Sequence, residues 1–148
     1  MDLNLTGKRV VVTGGSKGIG FAIAKEFLQE GAIVTITGRN QEDLDFASDE
    51  LSKYGEIYGV QADGSKEEEV YKAAELAAGE EGRIDAWINN IGTNKPRQGE
   101  LYTGEEVDYL VGACFKSAVF GSQAAYQYMK KSGGSIVNIS SLDRKSVV

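Results

Sequence analysis

Residues 13–20, with the sequence Thr-Gly-Gly-Ser-Lys-Gly-Ile-Gly, most constrain what this chain can fold into. A β-branched run over 9–12 precedes them, and apolar residues at helical spacing follow over 21–28. The sequence therefore predicts a strand, a glycine-rich turn and a helix. Such a turn directs backbone N–H groups and the positive end of a helix dipole toward one point, which suits a phosphate or pyrophosphate. The spacing Gly14-x-x-x-Gly18-x-Gly20 is one residue wider than the common dinucleotide fingerprint. The prediction of a phosphate site therefore rests on the physical properties of the turn and not on a match to that fingerprint.

The alternation of strand and helix continues along the chain. Strands are predicted over 32–37, 56–62, 83–90 and 135–140, and helices over about 41–53, 65–78 and 103–131. Capping boxes at Ser65/Glu68 and Thr103/Glu106 open the last two helices, and Gly55 is expected to end the helix before it in a left-handed conformation. Five strands and four helices imply right-handed crossovers, hence a parallel, doubly wound α/β sheet with helices on both faces.

Composition excludes several kinds of protein. The 148 residues suffice for one domain, contain no histidine and include a single cysteine, Cys114. Catalysis by Ser-His or Cys-His pairs, His-based metal sites and an internal disulfide are therefore excluded, and no metal site is expected. A net charge of −6 argues against a nucleic-acid partner, and without a long apolar run or a leader we expect a cytoplasmic protein that does not bind membranes.

The predicted end of the second strand favours one dinucleotide over the other. NAD-selective folds place a carboxylate here for the ribose hydroxyls, whereas a 2′-phosphate prefers arginine. Residues 37–40 read Thr-Gly-Arg-Asn and contain no acid. Arg39 and Lys17, inside the glycine turn, are expected to flank one phosphate, which favours NADP(H) over NAD(H). The alternative is that both are solvated surface cations.

Polar residues also follow the third and fourth strands. Asp63 is expected either to accept a hydrogen bond from the adenine amino group or to serve as an ordinary turn residue. Asn89 and Asn90 end a strand that should be buried, where amide groups need partners. We expect Asn89 to tie adjacent strands together and Asn90 to face the cofactor. The cofactor-binding residues predicted in all are Gly14, Ser16, Lys17, Gly18, Ile19, Gly20, Arg39, Asn40, Asp63, Asn90, Ile91 and Gly92.

Residues 13–20, Asp63, the Asn-Asn-Ile-Gly of 89–92 and the strand over 135–141 together resemble the classical short-chain dehydrogenase/reductase family over the whole chain. The resemblance implies a Rossmann-like sheet of strand order 3-2-1-4-5 and hydride transfer between NADP(H) and a carbonyl or secondary alcohol. The family as a whole uses either NAD(H) or NADP(H), and the preference for NADP(H) here rests on Lys17 and Arg39. The resemblance assigns the catalytic serine to Ser141, which would bond the substrate oxygen. It also implies a homo-oligomer, a dimer or tetramer, and a Tyr-x-x-x-Lys pair after Ser141.

The chain departs from this family pattern in two places. It ends at Val148 before any Tyr-x-x-x-Lys pair, so residues 1–148 are expected to be one dinucleotide-binding domain that lacks the family's last strands and helices and is inactive alone. The fifth strand would then have an open edge. Cys114 stands where the family's relay asparagine is expected, and its apolar neighbours favour a place in the core.

Two alternatives to an oxidoreductase follow from the missing pair. The chain is then either a non-catalytic NADP(H)-binding module or a scaffold fragment that a partner chain completes. The sequence leaves the identity of the small-molecule substrate open, because only residues near 93–95 are available to shape its pocket.

Overall fold

The computed structural model describes residues 1–93 and 101–141, so the proline loop around Pro96 and the predicted pocket residues Asn94 and Lys95 lie outside it. Strands and helices alternate throughout this part of the chain. In order they are β1 (Arg9–Val12), α1 (Gly18–Gln29), β2 (Ile33–Gly38), α2 (Gln41–Leu51), β3 (Ile57–Gln61), α3 (Glu67–Ala78), β4 (Ala86–Asn89), α4 (Gly104–Leu110), a π-helical segment (Val111–Lys116), α5 (Ser117–Met129) and β5 (Ser135–Asn138).

The strands form one parallel sheet of order β3-β2-β1-β4-β5, which confirms the predicted architecture. In the register of the sheet, Val11 lies between Thr35 of β2 and Trp87 of β4. The order reverses beside β1, because β2 and β4 follow it on opposite sides. Ligands of open α/β sheets bind outside the carboxyl ends of the strands at such a reversal, so the glycine turn after β1 lies at the position expected for a ligand.

Each face of the sheet carries its own apolar core. One core packs α1 and α2 against the sheet and includes Val10, Val12, Ile36 and Leu44, all at most 1% exposed. The other packs α3 and α5 against the sheet around Trp87, whose side chain is fully buried. The central strand contributes alternate residues to the two cores, because successive side chains of a strand point to opposite faces. No helix in the described part of the chain is long and apolar enough to cross a membrane.

The helix ends match the predictions unevenly. Thr103 and Glu106 form the predicted capping box at the start of α4. The box predicted at Ser65 is wrong, since α3 begins at Glu67 and the Ser65 hydroxyl donates instead to Asp63 Oδ1 at 2.7 Å. This hydroxyl therefore closes the turn after β3, and α3 begins at Glu67 with no side-chain cap from its N-cap Lys66. Gly55 does not adopt a left-handed conformation, because α2 already ends at Leu51.

The long last helix contains a wide turn that the sequence pattern did not predict. Residues Val111–Lys116 are π-helical, so each turn there holds more residues than the α-helical period assumes. The sequence pattern predicts one apolar face along this helix that includes Val107, Phe115, Ala125 and Met129, but Val107 and Phe115 are 46% and 66% exposed, whereas Ala125 and Met129 are buried. A single buried face over the whole helix was the wrong prediction.

Candidate functional site: a dinucleotide cleft

A cleft of about 900 Å³ lies at the carboxyl ends of the strands. This is the size of a small-molecule binding site. It brings together most of the predicted cofactor residues: Gly14, Ser16, Lys17, Ile19, Arg39, Asn40, Asp63, Asn90, Ile91 and Gly92. Gly18, Gly20 and Ser141 are not among its lining residues. Thr93, which was expected near the substrate pocket, also lines the cleft, whereas the sequence did not predict Asp43, Ser65, Asp108 and Tyr109 there. These come from the first turn of α2 and from segments whose approach depends on tertiary packing.

The glycines of the turn have distinct structural reasons. Gly14 and Gly18 have φ of +62° and +55°, in the left-handed region that favours glycine. At Gly20, a Cβ would collide with the carbonyl oxygen of Gly14 and come 2.5 Å from Asn90 Nδ2. The absence of side chains at these positions therefore lets α1 approach the end of β1 closely.

The starts of α1 and α3 have no side-chain cap, unlike the starts of α2 and α4, and that of α1 lies at the glycine turn. Lys17, the N-cap of α1, makes no side-chain capping bond, whereas Asn40 caps α2 and Thr103 caps α4. The first N–H groups of a helix have no acceptor within that helix. Beside the cleft, these uncapped donors suit the negatively charged oxygens of a pyrophosphate. The residues present thus fit a dinucleotide.

Asn90 holds the glycine turn in place. Its backbone N–H donates to Thr13 Oγ1 at 3.0 Å, and its Nδ2 donates to the carbonyl oxygens of Thr13 and Gly14 at 3.2 and 3.1 Å. Asn90 also lines the cleft, as expected for a residue that faces a cofactor. Its amide donors are nonetheless directed at the turn, so its observed role is to fix β4 to the glycine turn.

Asn89 ties neighbouring strands together, as predicted. Its Nδ2 donates to Asn138 Oδ1 at 2.9 Å and to Ser122 Oγ at 3.1 Å, which joins β4 to β5 and to α5. Its Oδ1 accepts from Trp87 Nε1 at 2.8 Å. A Cβ on Gly121 would collide with that Oδ1, so the glycine allows α5 to pack this closely. The buried amide is satisfied in full.

Asp63 sits in a hydrogen-bonded turn after β3. Its Oδ1 accepts from the hydroxyl and backbone N–H of Ser65 at 2.7 and 2.9 Å, and its own N–H donates to Glu69 Oε2 at 2.7 Å. Partial burial pushes the pKa of Asp63 upward, but the two bonds from Ser65 and the nearby charges of Lys66 and Arg39 outweigh it and lower that pKa. Asp63 therefore presents an ionised carboxylate at the cleft.

The two cations predicted to bind a phosphate have different surroundings. Both Lys17 and Arg39 line the cleft. Lys17 Nζ pairs with Asp43 Oδ2 at 2.8 Å, whereas no ion pair to Arg39 is found within residues 1–93 and 101–141. The choice of cofactor from the sequence rested on the absence of an acid near the end of β2. Asp43, in the first turn of α2, lies beyond the residues used for that choice. Asp43 follows the N-cap Asn40 by three residues, and that spacing was the available indication.

Cys114 lies at the surface, not in the core as predicted. Its thiol donates to the carbonyl oxygen of Thr93 at 3.4 Å and accepts from the N–H of Thr93 at 3.5 Å. The π-helical turn that contains Cys114 explains the error, because the pattern assumed a regular α-helix. Thr93 lines the cleft, so Cys114 supports the loop after β4.

Ser141 is exposed, and the described residues contain no hydrogen bond to its side chain. The structure does not bring Ser141 to the cleft, so its catalytic role stays a prediction.

A parallel sheet of this order, with a glycine turn and an uncapped helix start at its reversal, defines a dinucleotide-binding α/β protein. Comparison with known proteins narrows this class. The sequence profile described as "short chain dehydrogenase" matches residues 8–146. The chain therefore belongs to the short-chain dehydrogenase family.

Individual relatives agree with this membership. An uncharacterized oxidoreductase, YvrD of Bacillus subtilis, is 42% identical over 142 residues, which are 95% of this chain and 54% of YvrD. An NADP-dependent (R)-specific alcohol dehydrogenase of Lentilactobacillus kefiri is 36% identical over 97% of this chain and 58% of that enzyme. The Pseudomonas aeruginosa RhlG/NADP complex superposes with a TM-score of 0.85 at 30% identity, over 93% of this chain and 56% of RhlG. The chain thus spans little more than half the length of these relatives.

Proposed function

We propose that this chain is the NADP(H)-binding part of an oxidoreductase that transfers hydride between the nicotinamide and a carbonyl or secondary alcohol. The observation that carries the proposal is the uncapped start of α1 beside the glycine turn, in a cleft that also contains Arg39 and Lys17. The naming of the L. kefiri relative as NADP-dependent and the NADP complex of RhlG support the choice of cofactor. The relatives' names also favour an enzyme over a non-catalytic module.

In this proposal each group at the cleft has one task. A bound nicotinamide dinucleotide supplies or accepts the hydride. The N–H groups at the start of α1 bind the pyrophosphate, and the cationic side chains of Lys17 and Arg39 bind the 2′-phosphate. Asp63, held ionised by Ser65, accepts a hydrogen bond from the adenine amino group. Ser141 bonds the substrate oxygen.

The proposal also extends to the setting of the chain. Residues 1–148 make up one incomplete domain, inactive alone, in a cytoplasmic enzyme that forms a dimer or tetramer and acts on a small molecule. The share of its relatives that the chain spans supports this view, because nearly half of each relative has no counterpart here. A tyrosine followed four residues later by lysine in a longer form of the protein would supply the missing acid–base pair.

Titration with NADPH and NADH tests the cofactor assignment. We expect tighter binding of NADPH, and we expect Arg39→Gln to weaken NADPH binding about 10- to 100-fold while changing NADH binding less than about threefold, as for loss of one charge-assisted bond. Lys72→Gln, an equal charge change on the exposed surface of α3, is the control and should leave both affinities unchanged. Equal binding of both cofactors contradicts the phosphate argument, and binding of neither contradicts the proposed function.

A further inference from the structure

The ion pair between Lys17 and Asp43 places an acid where the proposed function requires an anionic ligand. Lys17 Nζ lies 2.8 Å from Asp43 Oδ2, and both residues line the cleft. Arg39 and Asn40 line the same cleft. A carboxylate that already pairs with one of the two phosphate-binding cations bears directly on the binding of a phosphate there.

Asp43 is the fixed member of this pair. α2 begins at Gln41, and the side chain of Asn40 accepts a hydrogen bond from the backbone N–H of Asp43 at 3.0 Å. Asp43 is thus anchored in the first helical turn, where the helix dipole also favours a negative charge. Its side chain is 38% exposed.

Lys17 is the more exposed member. Its side chain is 74% exposed, and it projects from the glycine turn on a long flexible stem. An exposed ion pair of this kind is weak enough to break and re-form when a stronger anion arrives. The pair therefore opposes the binding of a phosphate without preventing it.

We propose that Asp43 determines the strength of the cofactor preference, because its carboxylate competes with the 2′-phosphate for Lys17. This inference rests on the proposed function, since it concerns the same cleft. A dinucleotide without that phosphate does not need Lys17, so its binding is insensitive to Asp43. The acid thus restrains selectivity for NADP(H) that Lys17 and Arg39 would otherwise make larger.

Two nucleotides that differ only in the 2′-phosphate isolate the effect: adenosine 2′,5′-bisphosphate and adenosine 5′-monophosphate. Asp43→Asn is expected to raise the affinity for the bisphosphate about 3- to 5-fold, the upper end for one exposed charge pair, and to change that for the monophosphate less than about twofold. Thermal unfolding of each variant checks the fold. Asp45→Asn is the matched control, since Asp45 lies on the same helix but bonds to Gln41 at 2.8 Å and does not line the cleft.

A second variant tests the route through Lys17. In a Lys17→Gln background, Asp43→Asn should change bisphosphate affinity less than about twofold, because the ammonium group for which Asp43 and the phosphate compete is absent. If Asp43→Asn raises bisphosphate affinity as much in that background as in the wild type, the proposed competition is wrong. The proposal is also wrong if the single variant Asp43→Asn binds the bisphosphate more weakly than wild type, or if it changes the affinities for both nucleotides equally. In those cases the proposed function stands. If the wild-type protein binds neither nucleotide, the proposed function is wrong and this inference falls with it.

Discussion

β1 and β5 are both short parallel strands rich in β-branched residues, yet β1 is buried in the sheet and β5 is largely exposed. Val10, Val11 and Val12 of β1 are at most 1% exposed, whereas Ile136 and Val137 of β5 are 39% and 44% exposed. β1 pairs with strands on both sides and is covered on both faces, but β5 pairs only with β4 among the described residues. A strand's own residues therefore set its conformation, while its neighbours set its contribution to stability.

The largest loss of stability and of cofactor binding is expected from a substitution in the glycine turn after β1. Gly20→Ala forces a Cβ against the carbonyl oxygen of Gly14, a backbone atom that cannot move aside cheaply. We expect a loss of about 3 kcal/mol in unfolding free energy and no measurable NADPH binding, since the turn must shift. Urea unfolding and a fluorescence titration measure the two effects.

Gly104→Ala is the control for that substitution. A Cβ there meets nothing within 4 Å, and Gly104 lies in the first turn of α4. It should change stability by no more than about 1 kcal/mol and leave NADPH binding intact. If Gly20→Ala behaves like this control, the contact between α1 and the end of β1 is not as close as described.

A matched pair of valine substitutions tests the comparison of strands directly. Val11→Ala should cost about 2–3 kcal/mol, because it removes two buried carbon atoms and leaves a cavity in a packed core. Val137→Ala should cost less than about 1 kcal/mol, since nearly half of that side chain is already exposed. Chemical unfolding of both variants provides the measurement. Equal costs would mean that something covers β5 in solution.

A smaller effect than that of Val11→Ala is expected at the turn after β3, the other outer strand. At neutral pH, Asp63→Asn should lower the unfolding free energy by about 1 kcal/mol, because it weakens the bonds from Ser65. The pKa of Asp63 is lowered in the folded state, so this contribution is complete above the ordinary Asp pKa of about 3.9 and disappears as the pH falls through the folded value.

Urea midpoints measured from neutral pH downward test that dependence. The difference between wild type and Asp63→Asn should shrink below about pH 4. Asp49→Asn, on the exposed surface of α2, controls for the loss of one carboxylate. A difference that grows on acidification would contradict the hydrogen-bonded, ionised state of Asp63.

Local patterns in the sequence predicted the order of strands and helices along the chain and the place of the site, and the family resemblance supplied the strand order of the sheet. The β-branched runs and helical spacing predicted every strand and helix to within a few residues, and the alternation predicted the parallel sheet. The glycine turn and the polar residues after β2, β3 and β4 were expected at one edge, and the cleft contains most of them. These features depend on short stretches and on general rules for parallel sheets.

Tertiary structure alone decided how those residues are partnered. The π-helical turn placed Cys114 against Thr93 and not in the expected core position, and Asp43 pairs with Lys17 from a different helix. Each result depends on distances between segments far apart along the chain, or on a departure from regular helix geometry, which residue periodicity does not encode. The sequence by itself determined where a dinucleotide could bind, and the packing of α1 against α2 decided which charges surround it.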